Sequence, residues 1–284
     1  MFLENSFGLI KRYKFVETCI KEELTANSRL SLLDFGCGSG EYLTIPIARE
    51  FLDKIEILAF DPDAESIRYL EKKLPKNCCL TATSDPEALE GKKFDIIILS
   101  EVLEHVEDPL VLLQRLKSLL LPDGKLLITI PNGYGYFEFD SLLFNMAMFI
   151  GLLPLMRKIK SWVTGREYVR SSSTGDTLAI SPHINFFTYR SFHYLLHQAM
   201  LVTIVYQGRV WVCGAMTKII ERSPVLIRLN SILGSVLPPF LVSGWMFVIQ
   251  SGSSKARRPL LKTILCPLDR FKRWLNYRVA YKGK

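Results

Sequence analysis

The chain has 284 residues, of which 49% are hydrophobic and 23% are charged. This composition is that of a globular protein with a sizeable core, and it excludes a disordered or fibrous chain. The formal net charge of +8 lies at the C-terminal end, because residues 251–284 contain ten Lys or Arg and one acid, which leaves −1 for residues 1–250. The body of the chain therefore lacks the basic character of a nucleic-acid-binding protein, and we expect no nucleic-acid partner.

Residues 251–284 form a basic tail in which cations alternate with apolar and aromatic residues, among them Phe271, Trp274 and Tyr277. Such a segment suits an anionic membrane surface, and a solvated charged terminus is an equally good interpretation. The six cysteines show neither metal-ligand nor disulfide spacing, which favours reduced thiols. The N-terminal residues contain no sustained apolar run, so we expect no signal peptide and a cytoplasmic protein. The basic tail adds the expectation of peripheral contact with a membrane.

The first half of the chain alternates short apolar runs with helical patterns. Strands are predicted at residues 30–35, 55–60, 78–81, 94–99 and 125–130. Helices are predicted between them at residues 41–53, 63–74 and 108–121. In the second half a helix at 188–199 precedes a strand at 202–206, and a last strand follows at 244–250. The pattern predicts a doubly wound α/β fold with a seven-stranded, mostly parallel sheet and apolar helical insertions.

Two apolar stretches interrupt the second half. Residues 141–156 carry no charge, and residues 223–243 are broken by a glycine and a proline pair. Neither favours a membrane-spanning helix. For residues 141–156 an interfacial helix, a lid over an apolar substrate and a buried core helix remain as interpretations. We predict one domain over residues 1–250 and the tail at 251–284, the domain being divided into a cofactor half at 20–135 and substrate-side insertions at 136–187 and 219–243.

A glycine-rich loop follows the first predicted strand and reads Asp34-x-Gly36-x-Gly38-x-Gly40. Glycines allow a tight turn and a close approach of the backbone to a ligand, and the following helix N-terminus favours electronegative groups. A dinucleotide fingerprint would place its third glycine one residue later. The carboxylate of Asp34 would neutralise the ammonium group of a methionine moiety and would repel a pyrophosphate, so the loop favours the former ligand.

This loop resembles motif I of the class I methyltransferases, and three later segments match that family in order. Asp61 resembles the acid that accepts hydrogen bonds from both ribose hydroxyls, and Asp85 resembles the acid that recognises the adenine amine. For Asp85 a Ser84-Asp85-Pro86 turn is the alternative. Residues 94–101, followed by Val102 to Val106, resemble motif IV, which lies along the methionine end of the cofactor. The resemblance implies S-adenosylmethionine as cofactor, bound by Asp34, Gly36, Cys37, Gly38, Gly40, Asp61, Pro62, Asp85, Ser100 and Glu101.

Glu101, Glu104 and His105 are spaced so that one helical turn would bring them to the same face. The motif is similar to that of ubiquinone-pathway O-methyltransferases and small-RNA 3′-end methyltransferases, where it holds a divalent metal together with a downstream histidine, here His183. The resemblance thus implies Glu101, Glu104, His105 and His183 as candidate ligands of Mg²⁺. In the metal-free alternative His105 packs beside the cofactor and His183 is either a general base or a hydrogen-bonded loop histidine.

The segment Pro131 to Glu138 follows the fifth strand, at the edge of the sheet where ligands bind. It resembles type 11 and type 23 methyltransferase domains, and Tyr134, Tyr136 and Glu138 are candidates to line the acceptor pocket. We therefore predict methyl transfer to an oxygen of an apolar, lipid-like, glycan- or quinone-type small molecule near a membrane surface. His183 and His105 are the candidate catalytic residues. A catalytically silent, cofactor-binding membrane adaptor is the alternative function.

Overall fold

A computed structural model of the chain describes residues 6–74, 78–152, 155, 182–213, 216–256 and 259–281. The apolar stretch at 141–156, the insertion at 136–187 and the tail at 251–284 lie partly outside these residues. Among the helices that the structure describes, none is both long enough and apolar enough to cross a membrane.

Seven strands form one sheet in the order β3-β2-β1-β4-β5-β7-β6. They are β1 (Leu30–Phe35), β2 (Ile55–Phe60), β3 (Leu80–Thr83), β4 (Phe94–Ser100), β5 (Leu120–Pro131), β6 (Leu201–Gly208) and β7 (Gly244–Ser251). Only β7 runs antiparallel to its neighbours β5 and β6. The central strands β1 and β4 are almost wholly buried, as strands covered by helices on both faces are.

The helices lie on both faces of the sheet and along one of its edges. They are α1 (Ser6–Ala26), α2 (Thr44–Phe51), α3 (Ala64–Lys73), α4 (Pro109–Leu119), α5 (Tyr136–Phe149), α6 (Tyr189–Gln198), α7 (Thr217–Ile220), α8 (Pro224–Val236) and α9 (Leu260–Tyr281). Short 3₁₀ turns occur at Leu52–Lys54, Pro86–Leu89 and Pro239–Leu241. Two large apolar clusters, one on each face of the sheet, form the core.

The predicted doubly wound α/β fold with seven mostly parallel strands is confirmed. The third strand was placed two residues too early, since β3 is an edge strand whose half-exposed residues give a weak apolar pattern. Pairing with β2 still begins at Cys79, whose carbonyl accepts a hydrogen bond from the Ile57 amide at 2.7 Å. The turn before the fifth predicted strand is a bulge within β5, where pairing to β4 skips from Leu120 to Lys125.

The carboxyl ends of the parallel strands and the start of the antiparallel strand β7 share one edge of the sheet. Pro131 at the end of β5 pairs with Gly244 at the start of β7, and Gly208 at the end of β6 pairs with Trp245. The glycine loop, helices α5 and α8 and the 3₁₀ turn at Pro239–Leu241 are connected to these strand ends. Every predicted site residue up to Glu138 therefore follows or ends a strand at this one edge, where doubly wound sheets bind their ligands.

Candidate active site

The glycine loop is held against the end of β2 by its backbone. The amides of Gly36 and Cys37 both donate to the Phe60 carbonyl, at 2.7 and 3.1 Å. Gly36 has φ of +79°, and a Cβ added there would lie 2.5 Å from Cγ2 of Val102. Only glycine meets both the conformation and the close approach, so the loop lies directly against the residues that follow β4.

Two buried carboxylates flank this loop. Asp34 accepts a hydrogen bond from the Thr44 hydroxyl at 2.6 Å, and burial raises its pKa to about 6. Asp61 accepts from the Gly38 amide at 2.8 Å and from the Asp63 amide at 2.9 Å. Burial also raises the pKa of Asp61, and the hydrogen bonds to its oxygens oppose that shift. Each carboxylate oxygen of Asp61 retains a lone pair, which is what vicinal hydroxyl donors require.

Three further predicted cofactor residues, Asp85, Cys37 and Pro62, lie at the same edge of the sheet. Asp85 is exposed and its side chain accepts from the Glu87 amide at 2.9 Å, so it caps the 3₁₀ turn as the alternative interpretation required. Its role toward adenine stays a prediction. Cys37 lies inside the loop, where burial raises the pKa of its thiol. Pro62 directly follows Asp61.

Glu101, at the end of β4, is held by an ion pair. One carboxylate oxygen accepts from Arg209 at 2.8 Å and the other from the Thr129 hydroxyl at 2.9 Å. Burial alone would raise the pKa of Glu101, but the nearby guanidinium groups of Arg209 and Arg12 hold it at about 2. Glu101 has φ of +56°, a left-handed conformation that costs energy for a non-glycine residue and that clusters at functional sites.

Glu104 is buried, and neither of its carboxylate oxygens accepts a hydrogen bond from the described residues. Burial and the neighbouring Glu101 carboxylate raise its pKa to about 8. The Nε2 atom of His105 lies 4.0 Å from one oxygen. A buried carboxylate without hydrogen-bond partners is costly in a stable fold, so its environment points to a ligand or a proton as the missing partner.

His183 lies beside the Glu104 carboxylate and forms a hydrogen bond with the carboxylate of Glu138. Its Nδ1 atom is 2.5 Å from a carboxylate oxygen of the buried Glu138, and its ring lies edge-on to that of His105 with centroids 4.8 Å apart. Burial by itself lowers the pKa of His183, but the Glu138 carboxylate raises it to about 9. Burial and the His183 charge lower the pKa of His105 to about 4, so the two imidazoles are held in different protonation states.

The segment from Pro182 to Phe187 brings His183 to this position. The amides of Ile184 and Asn185 both donate to the Glu104 carbonyl, at 2.8 and 3.0 Å, and the Asn185 side chain donates to the Leu103 and Val106 carbonyls. On its other side the Gly133 amide donates to the Phe187 carbonyl at 2.9 Å. The segment therefore joins the turn after β4 to the turn after β5.

Helix α9 packs over the same segment. Lys272, which is buried, donates to the Gly133 carbonyl at 2.6 Å and lies 3.8 Å from the Glu138 carboxylate. Arg273 donates to the Ile184 carbonyl, and the Asn276 side chain donates to the His183 carbonyl at 3.0 Å. Helix α9, within the predicted basic tail, therefore contacts the residues that surround the two histidines.

The three candidate acceptor residues have different surroundings. Glu138 faces His183 and Lys272, Tyr134 donates its hydroxyl hydrogen bond to Asp269 of α9, and Tyr136 is exposed at the start of α5. Burial and Asp269 raise the pKa of Tyr134. Their role as an acceptor pocket stays a prediction.

Of the four candidate metal ligands, three lie together and the fourth, Glu101, is bonded to other groups. Glu104, His105 and His183 each offer one ligand atom, and these atoms lie within 4.8 Å of one another. The oxygens of Glu101 are bonded to Arg209 and Thr129 instead. A carboxylate without hydrogen-bond partners beside two imidazoles is a donor set suited to a divalent cation.

Two residues at the site were missed by the sequence analysis. Arg209 follows the predicted strand at 202–206, so its place at the carboxyl edge was available as a signal. Lys272 lies in a basic, amphipathic segment, and the sequence pattern does not distinguish this buried lysine from the exposed arginines beside it.

The model of the methyltransferase domain family matches residues 11–203, which is more than half of the chain. The ubiquinone biosynthesis O-methyltransferase of Arabidopsis thaliana mitochondria is 33% identical over 116 residues, and that of Parvibaculum lavamentivorans is 34% identical over 105 residues. Each match covers 36% of this chain, and 33% and 41% of the respective relative. The chain thus matches less than half the length of these curated relatives.

Two solved structures are also similar. PKMT2 from Rickettsia typhi with AdoHcy is 17% identical with a TM-score of 0.48, covering 82% of this chain and 51% of that chain. Magnesium protoporphyrin IX methyltransferase from Synechocystis PCC 6803 with SAH is 16% identical with a TM-score of 0.47, covering 85% and 84%. On the family match, the strand order and the glycine loop, this chain belongs to the methyltransferase domain family as a class I, S-adenosylmethionine-dependent member.

Proposed function

We propose that the chain transfers the methyl group of S-adenosylmethionine to a hydroxyl oxygen of an apolar, lipid-like, glycan- or quinone-type small molecule near a membrane surface. The observation that carries the proposal is the buried Glu104 carboxylate, whose oxygens have no hydrogen-bond partner among the described residues. It lies on the turn that also carries Val102, which contacts Gly36 of the cofactor loop. An acceptor hydroxyl bonded to Glu104 would therefore lie close to the methionine end of the cofactor.

The chemistry requires positioning and the removal of one proton. The sulfonium group already makes the methyl group reactive, so the acceptor oxygen attacks it in line, the carbon–sulfur bond breaks, and S-adenosylhomocysteine leaves as a neutral thioether. In our proposal a Glu104 oxygen accepts the proton of the acceptor hydroxyl. His183, held by Glu138, places a positive charge beside the carboxylate and orients it.

A divalent cation is compatible with the same residues. Glu104, His105 and His183 would hold it, because one oxygen and two imidazole nitrogens lie close together there. When bound, such a cation lowers the pKa of a coordinated hydroxyl. The three side chains would then serve as ligands, and the ion pair of Arg209 would keep Glu101 from joining them.

Oxygen as the acceptor atom is supported by the relatives, whose names describe ubiquinone biosynthesis O-methyltransferases. An apolar acceptor is supported by the aromatic and aliphatic residues around the histidines. The Phe137 ring lies 6.2 Å from that of His183, and Phe186 is buried beneath Lys272. Such side chains exclude water and favour the ring or chain of an apolar substrate.

The replacement Glu104→Gln tests the proposal. S-adenosylhomocysteine formation would be followed with a panel of apolar hydroxylated compounds, with and without added Mg²⁺, for the wild type, Glu104→Gln and Glu107→Gln. We expect turnover to fall about a hundredfold in Glu104→Gln, because the proton acceptor is lost, while cofactor affinity stays unchanged. Glu107 is exposed on the same turn and is the matched control. Equal turnover in Glu104→Gln and the wild type would refute the proposal.

A further inference from the structure

Helix α8 turns its polar and small residues inward and its apolar residues outward. The buried Asn230 side chain accepts from the Val212 amide at 2.8 Å and donates to the Val212 carbonyl at 2.9 Å. Gly234 is also buried, and a Cβ there would lie 2.5 Å from Cα of Val210. The exposed apolar residues are Val225, Leu226, Leu229, Ile232 and Val236. Four of them follow the i, i+4, i+7, i+11 spacing of a single helical stripe.

Helix α5 has a similar exposed stripe. Its exposed apolar residues alternate at spacings of three and four and continue one residue beyond the helix: Tyr136, Phe139, Leu143, Met146 and Ile150. The buried side of the same helix carries Glu138, which bonds to His183. Helix α5 therefore contacts the site with one face and exposes an apolar stripe on another.

These two stripes lie at the same edge of the sheet. Phe137 of α5 and Ile227 of α8 pack against one small apolar cluster formed by Phe7, Val210 and Cys213. Between α8 and β7, the 3₁₀ turn exposes Phe240, which is 70% accessible, and the Phe240 carbonyl accepts a hydrogen bond from Asn132. The exposed residues of α5, α8 and the 3₁₀ turn therefore belong to segments at the edge of the sheet that carries the candidate site.

Helix α9 adds aromatic residues beside α5. The Trp274 ring meets that of Phe149 edge-on with centroids 5.2 Å apart and stacks with that of Phe271 at 6.0 Å. Phe271, Trp274 and Tyr277 are all exposed. Tryptophan and tyrosine side chains, which combine an apolar ring with a polar group, sit at the level of the lipid headgroups.

The exposed charges on α8 and α9 have one sign. Among the side chains that the structure describes on α8 and α9, every exposed charged one is an arginine: Arg228, Arg270, Arg273 and Arg278. On α5 the two acids, Glu138 and Asp140, are buried and half-buried. Arginines around an apolar and aromatic surface are complementary to an anionic bilayer, since their stems pack on apolar groups while the guanidinium groups reach the phosphates.

We infer that the exposed faces of α5, α8, α9 and the 3₁₀ turn at Pro239–Leu241 form a docking surface for an anionic lipid bilayer. The docking surface places its apolar side chains at the boundary of headgroups and acyl chains and holds the carboxyl edge of the sheet, where the candidate site lies, against the bilayer. The inference rests on the proposed function, because it assumes an apolar acceptor. Such an acceptor would enter the site directly from the lipid without crossing water. No segment has to span the membrane.

The test is co-sedimentation of the full chain with vesicles of phosphatidylcholine alone or mixed equally with phosphatidylglycerol. The variant combines Val225→Ser, Leu229→Ser and Ile232→Ser, and its matched control combines Leu52→Ser and Val111→Ser, which are exposed on other parts of the molecule. We expect binding to the anionic vesicles, a loss of about tenfold or more in the α8 variant, and no loss in the control. Added salt should weaken the binding of the wild type.

Wild type that stays in the supernatant with anionic vesicles, or that binds as tightly as the α8 variant, overturns the inference. So does self-association in sedimentation velocity that the α8 variant abolishes without vesicles, because the surface would then bind a second copy of the chain. Cofactor titration of each variant separates the two proposals. Vesicle binding with no S-adenosylmethionine binding would contradict the proposed function and leave the docking surface in place.

Discussion

Around the glycine loop, in the predicted cofactor half of the molecule, the buried carboxylates bond to groups at most 23 residues away in the chain: Asp34 to Thr44, and Asp61 to Gly38 and Asp63. In the residues around Glu104 and His183, which we call the acceptor half, the corresponding bonds join distant segments: Glu138 to His183 over 45 residues, and Lys272 to Gly133 over 139. The first arrangement forms as soon as β1, β2 and their loop are in place. The second exists only when the segment at 182–187 and helix α9 have both packed, so we expect the two halves to respond differently to substitution.

The largest effect is expected from Lys272→Met. Its ammonium group is buried between the Gly133 carbonyl and Glu138. Removing this group deprives the buried Glu138 carboxylate of a neighbouring positive charge. We expect the free energy of unfolding to fall by about 3–5 kcal/mol in urea denaturation. Arg270→Met, on the exposed face of the same helix, should change it by less than about 0.5 kcal/mol. Equal values for the two variants would show that α9 is not part of the acceptor half.

The next effect is expected in turnover from Glu138→Gln. The amide cannot stabilise a protonated His183, so this imidazole loses its charge and its orientation beside Glu104. We expect turnover to fall about a hundredfold while the affinity for S-adenosylmethionine is unchanged, measured by S-adenosylhomocysteine formation and by titration calorimetry. Asp140→Asn, on the same helix, is the control. A parallel loss of cofactor affinity would mean that the two halves are not separable.

Asp34→Asn should stabilise the free protein and weaken cofactor binding. Burial raises the Asp34 pKa from 3.8 to about 6, so the folded chain retains a proton that the unfolded chain releases between these values. Stability from this group is present below pH 3.8 and is lost as the pH rises through about 6. At pH 7 the asparagine should therefore add about 2–3 kcal/mol to the free energy of unfolding.

Urea denaturation of wild type and Asp34→Asn at pH 4 and pH 7 measures this difference. The gain should appear at pH 7 and shrink at pH 4, and it should come with weaker binding of S-adenosylmethionine. A variant that is less stable at pH 7, or one that binds the cofactor as well as wild type, would contradict the role of Asp34 as a buried counterion.

The smallest effect separates two interpretations of Asp85. Asp85 and Asp108 are both exposed and both cap a helical turn with their side chains. Replacing either with alanine should cost about 1 kcal/mol of stability. Only Asp85→Ala should also weaken S-adenosylmethionine binding, by about tenfold, because a hydrogen bond to adenine is lost. Equal cofactor affinities in the two variants would leave Asp85 as a cap alone.

The contrast between the halves also explains what the sequence could predict. A buried strand followed by Asp34 and three glycines is a local pattern, and the strand ends carrying Asp61 and Glu101 follow from the same alternation. Glu101 pairs with Arg209 because β6, which precedes Arg209, lies beside β7, and this pairing leaves the Glu104 oxygens without a partner among the described residues. Contacts over such separations leave no signal in spacing or periodicity.

The apolar insertions illustrate a second limit. The composition of residues 223–243 predicted an apolar helix but not its orientation, and the buried face of α8 is its Asn230 and Gly234 side. The backbone of Val210 and Val212 selects that side, since it supplies the partners of the amide and leaves room for no Cβ.

The central claim is that the glycine loop and Asp61 bind S-adenosylmethionine independently of the acceptor half. Isothermal titration of wild type and Asp61→Ala with the cofactor, with and without Mg²⁺, tests it directly. We expect binding by wild type under both conditions and a loss of at least about a hundredfold in Asp61→Ala, since two charge-assisted hydrogen bonds are removed. No binding by wild type under either condition, or unchanged binding by Asp61→Ala, would contradict the account.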